Sequence, residues 1–282
     1  MVYIAANIFG MVMIEICPLA SGSKGNCIYL STPETKILID AGLSTKATRV
    51  KLASIGVSLE DIDAIMITHD HIDHIQGLKV MAHALGIPVL ANHETAKGIV
   101  NAFGGYPKLK IFTTGETFEF SDLEIHPFSI PHDTLDPVAF AIRHENLKLC
   151  FCTDLGYVTP LVKKNLENSD FLYVESNHDP ELVYASRRPD VYKKRVLGKT
   201  GHLSNASCAE LLLHVAHSGL KKVFLAHLSS ECNTPTHALD TVQGLLKQNG
   251  IILDISIAHQ DTVSEMTRME SFPVNKEILN LV

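Results

Sequence analysis

Several apolar runs in this 282-residue chain stop at a histidine or an aspartate, and that habit restricts the fold more than any other feature. AIMIT leads into HDHIDH, residues 69–74. The run Leu123–Ile130 leads to His132, LKLCFCT to Asp154 and KVFLA to His227. A buried strand is apolar along its length, so a polar donor belongs just past its C-terminal end, where the chain leaves the sheet. One such donor is more often a satisfied structural residue. Donors at four strand ends ask for sheets that deliver them to one shared edge.

HDHIDH carries the most information. His69 and His71 are two apart and project together from an extended segment. Asp73 and His74 come after the chain turns into a helix and can serve a second ion beside the first. Neutral imidazole and carboxylate are what divalent ions take. A helix start capped by Asp with solvated histidines is the plainer alternative, but four donors of the right type within six residues weigh against it. Fifteen histidines in all make a surplus, and position rather than number gives it meaning.

Short strands open the chain: MIEICPLA, a Gly/Ser loop SGSKGN, then CIYLS and KILIDAG. Helices are expected near Lys46–Ile55 and Ile75–Leu85, around the strand AIMIT. A strand-rich run follows from Leu109 to Cys152, and then strands and helices alternate through FLYVE, Asn205–His217, KVFLAH, Pro235–Gln248 and ILDISIA. Strand runs followed by α/β alternation, twice over, predict an α/β protein: an αββα sandwich of two mixed β-sheets with outer helices. One domain is expected over residues 13–259, with residues 1–12 a leader and 260–282 a tail or terminal helix.

Composition agrees with a soluble globular domain, at 46% hydrophobic and 20% charged residues. The net charge of −7 excludes a protein that holds nucleic acid by bulk charge alone, though not one with a local basic strip. Six cysteines without repeated spacing read as buried, reduced thiols, which points inside the cell. The apolar N-terminus has no Lys or Arg before Glu15, so it lacks the basic start of a signal peptide and the ~20 apolar residues of a membrane helix. A short leader, or a true start at Met11 or Met13, is expected, with a cytoplasmic protein and no membrane association.

In this order the motifs resemble the metallo-β-lactamase superfamily, from Asp40 to about Ile257. The resemblance implies that His69, His71 and His132 bind one ion and Asp73, His74 and His227 the other, with Asp154 bridging. Asp40, in ILIDAG, would support the histidine loop from the second shell. Two divalent ions, Zn²⁺ or Mn²⁺, are implied. Ions ~3.5–4 Å apart acidify a shared water, so a metal-bridging hydroxide is the expected nucleophile. The β-lactamase branch usually has Cys where Asp154 stands, and flavo-diiron proteins replace the second histidine by Glu; both are disfavoured.

Two further segments bear on substrate. FLYVE ends at Glu175, and GHLSN places His202 before a helix. In RNase Z-like nucleases a Glu and a His at similar places form a dyad outside the metal shell, the His protonating the leaving oxygen. Asp73, Glu175 and His202 are therefore the expected catalytic residues. Between the last two lies a run with six cations, Arg187, Arg188, Lys193, Lys194, Arg195 and Lys199, against one acid, Asp190. It reads as a phosphate-tracking strip, with Arg195, Lys199, Ser204 and Asn205 as substrate contacts and Tyr184 and Tyr192 as stacking surfaces. SGSKGN, HDHIDHIQG, ESNHD, GHLSN and LAHLSSECN together resemble the YycJ/WalJ subfamily. That implies a DNA exonuclease of 5′→3′ polarity, linked to mismatch repair and its protein partners. The interval from Asp154 to His227 is too short for the inserted domain of β-CASP nucleases, and the RNase Z arm is not evident. The alternative is a thioester or lactone hydrolase of the glyoxalase II type.

Overall fold

A computed structural model describes residues 12–104 and 108–273. The expected leader therefore lies outside the described residues except for Val12, which opens the first strand. The elements run β1 (Val12–Ala20), β2 (Cys27–Ser31), β3 (Lys36–Ile39), α1 (Thr45–Ser54), β4 (Ala64–Met66), α2 (Ile72–Ile75), α3 (Leu78–Ala84), β5 (Val89–Asn92), α4 (His93–Phe103), β6 (Leu109–Phe112), β7 (Phe118–Phe120), β8 (Leu123–Ser129), β9 (Val138–His144), β10 (Leu147–Cys152), α5 (Pro160–Leu166), β11 (Phe171–Glu175), α6 (Pro180–Ala185), α7 (Asp190–Val196), α8 (Asn205–Val215), β12 (Lys222–Ala226), α9 (Pro235–Gln248), β13 (Ile255–Ile257) and β14 (Thr267–Ser271).

The strands form two seven-stranded mixed sheets, ordered β14-β1-β2-β3-β4-β5-β6 and β13-β12-β11-β10-β9-β8-β7. Period-2 alternation divides each strand between two cores. Inward residues such as Ile16, Leu30, Ile37, Phe140, Phe151, Tyr173 and Phe224 fill the space between the sheets. Cys150 and Cys152, on the other face of β10 from Phe151, join Leu212, Val215 and Val242 under α8 and α9. Leu38, Ile65 and Val89 pack outward with Leu52, Met81 and Ile99 of α1, α3 and α4. The result is the αββα sandwich. All six cysteines are free and buried, and among the described residues no helix is long and apolar enough to cross a membrane.

The structure departs from the sequence expectations at several points. Residues 267–271 are neither tail nor helix: β14 pairs antiparallel with β1, Met269 opposite Ile14 and Ser271 opposite Val12. Only Met269 among them is a buried hydrophobic residue, so the apolar signal of a strand is nearly missing. The helix expected over Ile75–Leu85 is broken at Gly77, whose N–H turns aside to Ala41 O at 2.8 Å. A side chain there would stand 2.3 Å from Leu43 O. The basic run holds a short helix, α7, and a second, α6, lies just before it; the charge pattern showed neither.

Candidate metal centre

Parallel pairing of β3 with β4 and of β10 with β11 and β12 lines up the C-terminal ends of these strands. β8 runs the same way as β10, because each is antiparallel to β9. Asp40, His69, His132, Asp154, Glu175 and His227 all stand at or just past these ends. Asp40, Asp154 and His227 also have φ of 63°, 60° and 54°. This left-handed backbone is unfavourable for a side-chain-bearing residue, tolerated best by Asp, Asn and His, and found where a site over-determines it. It turns the chain sharply as it leaves β3, β10 and β12.

Hydrogen bonds fix which imidazole nitrogen carries a proton. His132 Nδ1 donates to Gly201 O at 3.1 Å. His69 Nδ1 donates to Thr68 Oγ1 at 2.9 Å, while the Thr68 hydroxyl donates to Asp40 at 3.0 Å. His74 Nδ1 donates to Asp40 Oδ2 at 2.8 Å, and Asn26 Nδ2, from the SGSKGN loop, lies 3.0 Å from His74 Nε2. His227 Nδ1 donates to Glu175 Oε1 at 3.1 Å. Each ring thus turns its other nitrogen inward with its orientation set from outside, as ligating histidines do. His71 is reversed: its Nδ1 lies 3.2 Å from His69 Nε2.

The inward atoms cluster. Four overlapping groups have ligand atoms all within 4.8 Å of one another: His69, His71 and His132; His69, His74 and Asp154; Asp73, His74 and His227; and Asp154, Glu175, His202 and His227. Asp154 lies 3.3 Å from His74 Nε2 through Oδ2, and 3.6 and 3.5 Å from His132 and His227 Nε2 through Oδ1. His132 Nε2, His227 Nε2 and Asp154 Oδ2 are buried and make no hydrogen bond. Orphaned buried polar atoms are costly. Three of them, from three loops and converging on one spot, fit a cation.

Electrostatics follow the same geometry. Burial pushes the pKa of His69 well down, with His74 adding to it. Burial also lowers His132 and His71 against the pull of Asp154 and Asp133 respectively. These rings are neutral and ready to donate lone pairs. Burial would lower His227 too, but the carboxylates of Asp154, Asp73 and Glu175 outweigh it and hold the ring at about 10. Burial would raise Glu175, yet His202 and His227 keep it at about 2.

Glu175 is saturated. Its Oε1 accepts from His202 Nδ1 at 2.8 Å as well as from His227, and its Oε2 accepts from the N–H groups of Leu155 at 2.7 Å and Leu203 at 3.0 Å. His202 is therefore held by the same carboxylate that orients His227, with Nε2 left for another partner.

The β-lactamase superfamily domain model matches residues 35–228. Over 250 residues the chain is 36% identical to exodeoxyribonuclease YycJ of Bacillus anthracis, covering 88% of this chain and 95% of that one. The chain belongs to the metallo-β-lactamase superfamily, in its YycJ/WalJ-like branch. It is likewise 36% identical over 248 residues to exodeoxyribonuclease WalJ of Streptococcus pneumoniae, covering 86% and 92%. Among solved metallo-β-lactamase folds, YhfI of Bacillus subtilis superposes with a TM-score of 0.70 at 14% identity, covering 92% of this chain and 100% of that one. The short form of human tRNase Z gives 0.61 at 15%, covering 89% and 98%. As a metallo-β-lactamase-fold protein of this branch, the chain is a metal-dependent hydrolase acting on ester bonds.

The residues expected to contact substrate divide. Arg195 stands at the edge of the cluster, its guanidinium on Asp133, and Asp133 Oδ1 is 3.5 Å from His132 Nε2. Lys199 is exposed, and its carbonyl packs where a side chain on Gly156 would fall. Ser204 caps α8 by accepting from Ser207 N. Asn205 is a correction: it is buried, its Oδ1 accepting from Ser176 and its Nδ2 donating to Asn233, so it cannot face a substrate. Tyr192 lies against Arg188, 5.2 Å from ring centre to guanidinium carbon, whereas Tyr184 is 67% exposed. Sequence reasoning missed Asn26, Thr68 and Asp133, which carry no metal-type spacing; only contact across the fold marks them.

Proposed function

We propose that the protein is a dinuclear metal-dependent phosphodiesterase that degrades DNA from an end, in the 5′→3′ direction. His69, His71 and His132 would hold one ion, Asp73, His74 and His227 the other, and Asp154 both. Such a pair supplies acidified water and neutralisation of phosphate charge. Asp40 and Thr68 orient His69 and His74 from behind.

One observation carries the choice of substrate: the Glu175 carboxylate holds His202 beside the cluster without spending its Nε2. A sugar alkoxide is a poor leaving group and needs a proton as the bond breaks, whereas a thiolate leaving a thioester does not. His202 is the group placed to give that proton, its ring oriented through Nδ1 by Glu175. The exodeoxyribonuclease relatives, matched over nearly their whole length, support DNA as the substrate. Purified protein with Mn²⁺ or Zn²⁺ should release mononucleotides from end-labelled duplex, a 5′ label departing first. No metal-dependent release from any DNA end would overturn the proposal.

The His227 proton gives a pH dependence. In the metal-free protein its pKa stands at about 10, while burial leaves His69, His71 and His132 unprotonated at neutral pH. Burial would lower His74 as well, but Asp40 and Asp154 outweigh it and hold that ring well above the ordinary imidazole range. Filling the site of Asp73, His74 and His227 must therefore displace two protons, so apparent metal affinity should rise by up to about a hundredfold per pH unit while both are bound. Calorimetric Zn²⁺ titrations in buffers of differing ionisation enthalpy should show this release. Affinity flat between neutral and mildly alkaline pH would count against it.

A further inference from the structure

The basic segment is tied to the site by two arginine–carboxylate clamps. α6 and α7 have a small core of their own, Val183, Val196 and Cys232 with Tyr192 and Leu197. Arg195, in the last turn of α7, donates from Nε to Asp133 Oδ2 at 2.5 Å and from Nη2 to Oδ1 at 3.2 Å. Arg188, stacked on Tyr192, donates from Nε to Glu231 Oε2 at 2.7 Å and from Nη2 to Oε1. Asp133 directly follows His132, and Glu231 lies four residues past His227. Those two histidines belong to different ligand groups, and each clamp's carboxylate sits on the chain segment that follows one of them.

We propose that both carboxylates are stand-ins for phosphate: a bound DNA strand displaces Asp133 from Arg195 and Glu231 from Arg188, and two of its backbone phosphates take their places. This rests on the DNA reading above. A guanidinium fork takes carboxylate and phosphate in the same bidentate way. Both guanidinium side chains are 49% exposed, and ion pairs at that exposure contribute little to stability, so exchange meets a small barrier. Meanwhile the clamps keep two long side chains ordered before substrate arrives. They also set a threshold. A ligand with one phosphate can replace one carboxylate, and only a strand with several can replace both. Among the six cations of the run, Arg188 and Arg195 are the phosphate contacts of this exchange, and Glu231 and Asp133 are its competitors.

Glu231→Gln keeps the shape of its side chain and removes the competing charge. With the metal-loaded protein, anisotropy titration of a fluorescent, slowly cleaved phosphorothioate DNA should show about two- to fivefold tighter binding than wild type, with an unchanged Tm. Asp133→Asn should act in the same direction, with metal content measured alongside because of its proximity to His71 and His132. Arg188→Ala should weaken binding and reduce the slope of log K against log salt by about 0.7–0.9, the loss of one phosphate contact. Binding by Glu231→Gln that equals or falls below wild type would show a purely structural clamp and overturn the exchange, leaving the DNA reading intact. Wild-type protein that binds no phosphorothioate DNA would overturn both.

Discussion

Replacing His202 by alanine is expected to lower kcat on DNA by about 10²–10⁴-fold, the usual worth of a positioned acid, while metal per chain stays at the wild-type level. The ring is held through Nδ1 by Glu175 at 2.8 Å and is 12% exposed at the side chain. It lies 3.8 Å from Asp154 Oδ1, beyond hydrogen-bond reach. The decisive contrast is the leaving group. Bis(p-nitrophenyl) phosphate expels a phenolate stable enough to leave unprotonated, so the same variant should retain most of its activity on that ester. A merely structural His202 would impair both substrates alike, and a ligand His202 would lower the metal content. The paired measurement, kcat on DNA and on the nitrophenyl ester with metal analysis of the same sample, separates these outcomes.

Loss of the Asp154 carboxylate should have the second large effect. Asp154 is 2% exposed, has one oxygen without a hydrogen-bond partner, and comes within 3.6 Å of imidazole nitrogens on His74, His132 and His227. Burial would raise its pKa, but His227 and His74 hold it well below the carboxylate range, so it is an anion at any working pH. Asp154→Ala removes the one charge that both proposed ligand sets would share. Metal affinity should fall by more than the ~10–100-fold that loss of an outer-shell partner such as Asp40 costs. After dialysis against buffer, elemental analysis should find less than one ion per chain, and hydrolysis of both substrates should be lost together. Asp40→Asn is the graded control, with weaker metal retention and activity recoverable at high metal concentration. Full occupancy in Asp154→Ala would remove this residue from the centre.

Much of this centre was legible because chemistry and periodicity coincide there. A run such as AIMIT or KVFLA reads as a buried strand, and the first donor after it must fall at a sheet edge. Once two sheets are assumed, HDHIDH, His132, Asp154 and His227 are directed to the same place. Glu175 and His202 were legible only through resemblance, since a Glu ending a strand and a His before a helix are common. What stayed hidden depends on contacts across long sequence separations. β14 pairs with a strand some 250 residues away, and its exposed Arg268 and Glu270 alternate with a single buried hydrophobic, Met269. β5 and the helix α4 behind it went unassigned, although Asn92 and Gly104 flank α4 as caps. Asn205 has the polarity of a substrate contact, but the Ser176–Asn233 network uses it in the interior. The basic run misled in a similar way. Six cations in sequence suggest an open electropositive strip, yet Arg188 and Arg195 meet acids 43 and 62 residues distant. No local charge count reveals such pairing.

Gly42 shows how narrowly the geometry is set. A Cβ on it would lie 1.6 Å from the Asp73 carbonyl oxygen, in the space where Asn26 N donates to that same oxygen at 2.8 Å. The loop after β3 and the start of α2 are in backbone contact there. Backbone hydrogen bonds join this loop to Asn26, Asp73 and His74, which is why a glycine in ILIDAG matters to the centre as well as to the fold.

Hydrolysis of DNA by two metal ions on this imidazole–carboxylate cluster must follow the loading of those ions. Its most direct test is to strip the protein with chelator, add Mn²⁺ in measured steps, and follow nucleotide release from end-labelled duplex at each step. No release is expected from the stripped protein, and activity should rise to a plateau at two ions per chain. A plateau at one ion, or release that does not depend on added metal, would contradict it.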